Sequence, residues 1–131
     1  NVSGAHGIWD KGATIIFQGN TLDLSGKQTP RSRDYIFNIN AAYDHPIGHG
    51  LTAYLAGSYQ KAGGGYDNAS LERLSQNYEI ANLSAGIKAD RWTLSGYVNN
   101  VTNDIYYTVE VSGNDYYNTP RTYGFKLSVD W

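Results

Sequence analysis

The final eleven residues of the chain alternate strictly between apolar and polar. Tyr123, Phe125, Leu127, Val129 and Trp131 fall on one side, and Thr122, Gly124, Lys126, Ser128 and Asp130 on the other. Side chains of a β-strand switch faces at every residue, so the run from Arg121 to Trp131 predicts a ribbon with one greasy and one polar face. The same period of two recurs upstream. Tyr35, Phe37, Ile39, Ala41 and Tyr43 oppose Asn38, Asn40, Ala42 and Asp44, with Ile36 the exception on the polar side. Leu51, Ala53, Leu55, Gly57 and Tyr59 oppose Thr52, Tyr54, Ala56, Ser58 and Gln60. Leu83, Ala85, Ile87 and Ala89 oppose Asn82, Ser84, Gly86 and Lys88, in a strand beginning near Asn77; Trp92, Leu94, Gly96 and Val98 oppose Thr93, Ser95, Tyr97 and Asn99. Helical spacing is missing throughout. Residues Asn1 to about Phe17 read as one further, weakly patterned strand. The pattern predicts an all-β, antiparallel up-and-down sheet.

The connections alternate in length. Turns at His45–Gly50 and Asp90–Arg91 are tight and carry turn chemistry. Those near Gln18–Arg33, Ala62–Gln76 and Thr102–Thr119 are much longer. Short turns on one side and long loops on the other are the asymmetry of a transmembrane barrel. A tilted strand crosses a bilayer in roughly 9–11 residues, which the last run matches. Aromatic positions form two belts, with Tyr43, Trp92 and Trp131 at the short-turn ends and Tyr35, Tyr59 and Tyr123 at the long-loop ends. Charge collects in the long loops, at Lys27, Arg31, Arg33, Asp67, Glu72, Arg73, Asp104, Glu110 and Asp115. The competing reading is a soluble or secreted antiparallel β-sheet binding module, a sandwich or small barrel with its apolar face turned inward. Polar faces of soluble sheets usually carry Lys and Glu, whereas here they are mostly Ser, Thr, Asn, Gly and Tyr, a texture suited to a hydrated lumen.

Composition narrows the choice. The chain has 131 residues, the length of one domain, and lacks both cysteine and methionine. Without a methionine it is expected to be a piece of a longer precursor. The absence of cysteine removes disulfide scaffolds and thiolate zinc sites. A net charge of −2 argues against a nucleic-acid partner. No apolar run approaches the ~18 residues of a transmembrane helix, which leaves barrels untouched.

Two C-terminal segments then become specific. Asp90-Arg91-Trp92-Thr93-Leu94-Ser95, followed by Asn99-Asn100-Val101-Thr102-Asn103-Asp104-Ile105-Tyr106-Tyr107-Thr108, resembles the penultimate strand and the asparagine-rich ending of TonB-dependent receptors of Gram-negative outer membranes. Pro120-Arg121-Thr122-Tyr123-Gly124-Phe125-Lys126-Leu127 resembles their lead-in to the last strand. Asp23-Leu24-Ser25-Gly26 with Pro30-Arg31 is similar to a loop of the same receptors. The match covers most of residues 20–131, and departs from the family at Trp131, where phenylalanine is usual. The resemblance implies that residues 1–131 are the C-terminal part of the receptor's β-barrel domain, the last five or six strands of about 22, without the plug domain. It implies TonB-coupled uptake of a scarce solute (ferric siderophore, vitamin or oligosaccharide) in the cell outer membrane. The implied partners are outer-membrane lipid, the remaining strands and plug, TonB through the missing N-terminal part, and the barrel-assembly machinery. It implies no catalytic step and no cofactor.

Candidate sites follow the same division. Tyr66, Asp67, Arg73, Tyr106, Tyr107, Asp115, Tyr116 and Tyr117 make an aromatic and polar loop surface, suited to a ligand vestibule or to an interfacial belt. Tyr123, Phe125, Leu127, Val129, Trp131 and Trp92 are the expected membrane anchors and assembly determinants. His45 and His49 flank a turn without a third ligand, so no metal site is expected. Gly63-Gly64-Gly65 lacks a following Lys-Ser/Thr and reads as a loop tip. The sequons at Asn68, Asn82 and Asn100 read as chance, because the latter two sit in or beside strands.

Overall fold

The computed structural model describes residues 2–3, 7–66, 74–111 and 114–130. The described residues form ten strands: β1 (Val2–Ser3), β2 (Thr14–Phe17), β3 (Asn20–Asp23), β4 (Tyr35–Gly48), β5 (Leu51–Gly63), β6 (Tyr78–Lys88), β7 (Trp92–Asn99), β8 (Tyr107–Val111), β9 (Asn114–Tyr117) and β10 (Thr122–Val129). Six form one sheet in the order β1-β4-β5-β6-β7-β10, while β2-β3 and β8-β9 form separate two-stranded ribbons. All strands of the main sheet follow sequence order, as the alternating pattern predicts, and the molecule is all-β and antiparallel. Among the described residues no helix is long and apolar enough to cross a membrane.

Four details correct the sequence reading. Asn1–Phe17 is not one strand: Val2 and Ser3 pair with Phe37 and Ile36, whereas Thr14–Phe17 folds back onto Asn20–Asp23. The long connections Gln18–Arg33 and Thr102–Thr119 therefore contain strand of their own. The turn expected over His45–Gly50 is shorter, since β4 runs through Gly48 and the residues between it and β5 are His49-Gly50. Both turn residues have positive φ, 54° and 73°, the mirror-image turn whose twist suits two adjacent strands. Gln18-Gly19 closes the β2-β3 ribbon the same way. Pro46 lies within β4, away from Ile36 and Phe37, where β1 pairs. Finally, β10 covers eight residues rather than eleven. The Asp130 N–H still donates to the Arg91 carbonyl (2.9 Å), which carries the pairing one residue further, and Trp131 lies outside the described residues.

The chain divides into two compact units. One comprises residues 1–37, 61–78 and 106–116, and holds the buried apolar side chains Leu24, Ala62 and Tyr107 together with buried Ser75. The other comprises 38–60, 79–105 and 117–131, and its buried residue among those described is a polar one, Asn100. Among the described residues this second unit buries no apolar side chain.

Candidate functional site

In the sheet unit, register sorts the side chains into two faces. Leu127 pairs with Leu94 and Leu94 with Ile87; Phe125 pairs with Gly96 and Gly96 with Ala85; Tyr123 pairs with Val98 and Val98 with Leu83. Directly paired residues point to the same side, so these rows build one continuous apolar face, which Trp92 and Val129 extend as a further pair. The face is uncovered. Phe125 is 86% and Leu127 65% exposed, and Leu55, Leu83, Leu94, Tyr123 and Val129 are exposed with them. A shallow groove of about 600 Å³ runs along it, lined by Leu55, Leu83, Val98, Tyr123 and Phe125 around Gly96. A Cβ on Gly96 would stand 3.3 Å from the Phe125 ring, so the ring lies across the glycine and fills the gap beside it. Moving each of these large side chains out of water is worth about 1.5–3 kcal/mol. The face therefore requires an apolar environment that this unit does not supply itself.

At one end of this sheet an asparagine latch closes the strands. Asn100 follows β7 with φ 51° and is 4% exposed. Its Nδ2 donates to the carbonyls of Asp104 (3.0 Å) and Thr119 (3.1 Å), and its Oδ1 accepts from the Asp104 N–H (3.0 Å) and the Thr102 hydroxyl (3.2 Å). Its own N–H donates to Asn82 Oδ1 (2.9 Å) on β6. Asp104 Oδ2 accepts from the Glu79 N–H (2.7 Å), and Asn103 Oδ1 from the Arg121 N–H (3.0 Å). Asn118 adds a bond to the Asp104 carbonyl (2.9 Å). The segment singled out by resemblance thus ties the start of β6, the end of β7 and the approach to β10. Both amides of the two local sequons, Asn82 and Asn100, are committed to these bonds.

In the other unit, the loop residues are held by contacts that sequence alone did not suggest. The Arg33 guanidinium sits 5.5 Å from the Tyr78 ring centroid and donates to the Gln76 carbonyl. Tyr78 stacks on Tyr106 at 4.2 Å with the planes 8° apart. Beside them Tyr107 is 5% exposed; its N–H bonds Gln76 Oε1 (2.8 Å) and its hydroxyl donates to the Leu74 carbonyl. Leu74 bridges in turn to Tyr66, whose carbonyl accepts from the Arg31 N–H. Tyr106 and Tyr107 are therefore braces of the loop layer. Tyr116 is exposed, with its carbonyl accepting from the Thr108 hydroxyl, and Asp115 is exposed next to it. Tyr117 is exposed and belongs to the sheet unit. Asp67 and Arg73 lie outside the described residues. Arg33 and Tyr78 were missed because they are far apart in sequence and only pairing brings them together.

The Asp23-Leu24-Ser25-Gly26 loop has its own logic. Asp23 Oδ1 accepts from the Ser25 hydroxyl (2.6 Å) and N–H (2.8 Å), while Ser25 Oγ accepts from the Gly12 N–H (2.8 Å). The Ser25 hydroxyl, then the Ser25 N–H, hold the Asp23 carboxyl below its ordinary value of 3.8, with Lys27 adding a smaller push. The loop turns Leu24 inward, where it is fully buried. His45 stacks on Tyr43 and His49 occupies the turn, and among the described residues no three His, Cys, Asp or Glu side chains gather as a metal site would need. No protein-family model, curated protein or solved structure matches the chain.

Proposed function

We propose that this chain is wall of an outer-membrane β-barrel, the C-terminal strands of a TonB-dependent receptor that takes up a scarce solute. The observation that carries the reading is the sheet unit's inverted economy: apolar side chains on a continuous exposed face, and a polar asparagine as its buried residue. A soluble domain buries apolar surface against a second layer. A barrel wall turns that surface to lipid and satisfies its backbone groups through neighbouring strands. The ordered meander, the mirror-image turn at His49-Gly50 and the sparsely charged opposite face support the same assignment. In this role the loop unit, braced by the Arg33–Tyr78–Tyr106 stack, presents Tyr66, Asp115 and Tyr116 to ligand arriving from outside.

The chain itself has no cysteine, and any cysteine elsewhere in the full-length protein is replaced by serine for the test. Single cysteines at Leu127 and Lys126, adjacent residues of opposite parity, are placed in the full-length protein in its host membrane. The Leu127→Cys label is expected to respond to a lipid-phase quencher and the Lys126→Cys label to an aqueous one, with the protein in the outer-membrane fraction and heat-modifiable on gels. Recovery in the soluble fraction, with Leu127→Cys shielded from both quenchers, would establish the soluble module instead.

A further inference from the structure

The polar face of the sheet unit carries a groove of about 470 Å³, within the usual range for small-molecule sites. Its floor is made shallow and smooth by Ala42 and Ala56, and its polar lining comes from Asn40, Ser58, Asn82, Ser84, Tyr97 and Asn99, contributed by four strands. We infer that this groove is a binding site for a neutral, hydroxyl-rich solute, a saccharide, which deepens the uptake reading above and rests on it for the solute's delivery.

Three observations select that chemistry. The lining has no formal charge. On the same face Lys88 is already engaged, with Asp44 at 3.1 Å and over the Tyr54 ring at 4.8 Å, so its ammonium is not an unmatched attractor for an anion. Amide and hydroxyl groups each donate and accept, which is what a sugar hydroxyl also does. Second, part of this lining is held in place before any ligand arrives. Asn82 donates from Nδ2 to Ser58 Oγ (3.0 Å) and accepts the Asn100 N–H, and Asn99 Nδ2 reaches Thr122 Oγ1 (3.3 Å). Fixed donors spare the ordering cost that flexible ones carry. Third, Tyr97 lies between two small partners, Ser84 and Gly124, its direct neighbours across β6 and β10. A Cβ on Gly124 would meet the Tyr97 hydroxyl at 2.8 Å and Cζ at 3.0 Å, so the ring rests over the glycine. An aromatic ring beside amides offers the apolar C–H side of a pyranose a surface while its hydroxyls are bonded at the rim.

The experiment uses the full-length protein in detergent. Binding of maltotriose and cellotriose is followed by saturation-transfer NMR and calorimetry, with gallium(III) tris-catecholate as an anionic competitor of siderophore type. At least one trisaccharide is expected to bind, and Asn99→Leu or Asn40→Leu to weaken it about tenfold, the effect of losing one or two polar contacts. Ala56→Gln, which fills the floor, is expected to weaken it similarly, so the result does not hang on one variant folding. Phe125→Leu on the opposite face is expected to leave binding unchanged, and the catecholate not to compete. Failure of both trisaccharides to bind the folded protein, affinity untouched by Asn99→Leu and Ala56→Gln, or displacement by the catecholate would each overturn the assignment. Membrane fractionation of the same preparations separates the two claims. Saccharide binding by a soluble protein would leave the groove standing and remove the barrel reading, and a heat-modifiable barrel without binding would do the reverse.

Discussion

Asn100 shows how much one side chain can be asked to do. It is buried, sits at positive φ, and makes four side-chain hydrogen bonds. Asn is among the few residues that tolerate that backbone conformation, because its short polar side chain bonds locally. Asn100→Ala loses all four bonds, leaves Asn118 as the remaining side-chain donor to the Asp104 and Thr119 carbonyls, and keeps the unfavourable φ. A destabilisation of about 3 kcal/mol is expected, read as a lower midpoint of thermal unfolding. Asn100→Gly relieves only the φ penalty and is expected to recover about 1 kcal/mol of that loss. Asp23 offers the pH counterpart. Its folded pKa is depressed, so its contribution is present above the ordinary value of 3.8 and is lost as pH falls through the lower, folded value. Ser25→Ala removes the leading cause, and an NMR titration is expected to show the Asp23 midpoint moving up toward 3.8.

At the scale of the strand, neighbouring residues of β10 have opposite meanings. Phe125 is on the lipid-facing side of the proposed barrel and Lys126 on the other. Phe125→Arg is expected to cost about 2–4 kcal/mol near mid-membrane and to lower the amount of assembled, heat-modifiable protein, whereas Lys126→Asp leaves assembly near normal. Were the unit soluble, Phe125→Arg would instead improve solubility, since the ring is already exposed. Glycines inside strands differ just as sharply. A Cβ on Gly86 would come within 2.9 Å of the Ser95 Cα and closer still to the Leu94 carbonyl, both backbone of the adjacent β7. One on Gly124 meets only the movable end of Tyr97. Gly86→Ala is therefore expected to destabilise by about 1–3 kcal/mol and Gly124→Ala by less, checked by the same thermal assay.

For the whole molecule, the strand order leaves β10 at one end of the main sheet, its other edge paired with β7. Unpaired backbone groups in hydrocarbon cost several kcal/mol each, so a barrel wall cannot keep such an edge in the bilayer. In the proposed intact receptor the outward amides of β10 are expected to be as protected from hydrogen exchange as those facing β7. In the isolated chain in micelles they are expected to exchange much faster. Equal, fast exchange of both sets in the intact protein would remove β10 from the closed wall.

The main strands were legible because alternation is a local property: a covalent backbone with a two-residue repeat assigns every side chain to a face before any strand has a partner. Thus the two-faced character of β4 to β7 and β10, their order and the tight turns were written in the residues from Tyr35 to Val129. The ribbons β2-β3 and β8-β9 were not, since their strands are only four or five residues long, too short for alternation to stand out; Gln18-Gly19 was the one local hint. Nor was the working of the asparagine-rich segment, because what Asn100 bonds is settled by register, and register depends on pairing between distant stretches. The Arg33–Tyr78–Tyr106 stack, the enclosure of Tyr107 and the groove between Asn40 and Asn99 belong to the same class. Sequence determined which way each side chain points. Tertiary structure decided which of them meet, because contacts between residues far apart in the chain are chosen by the strand ladder as a whole.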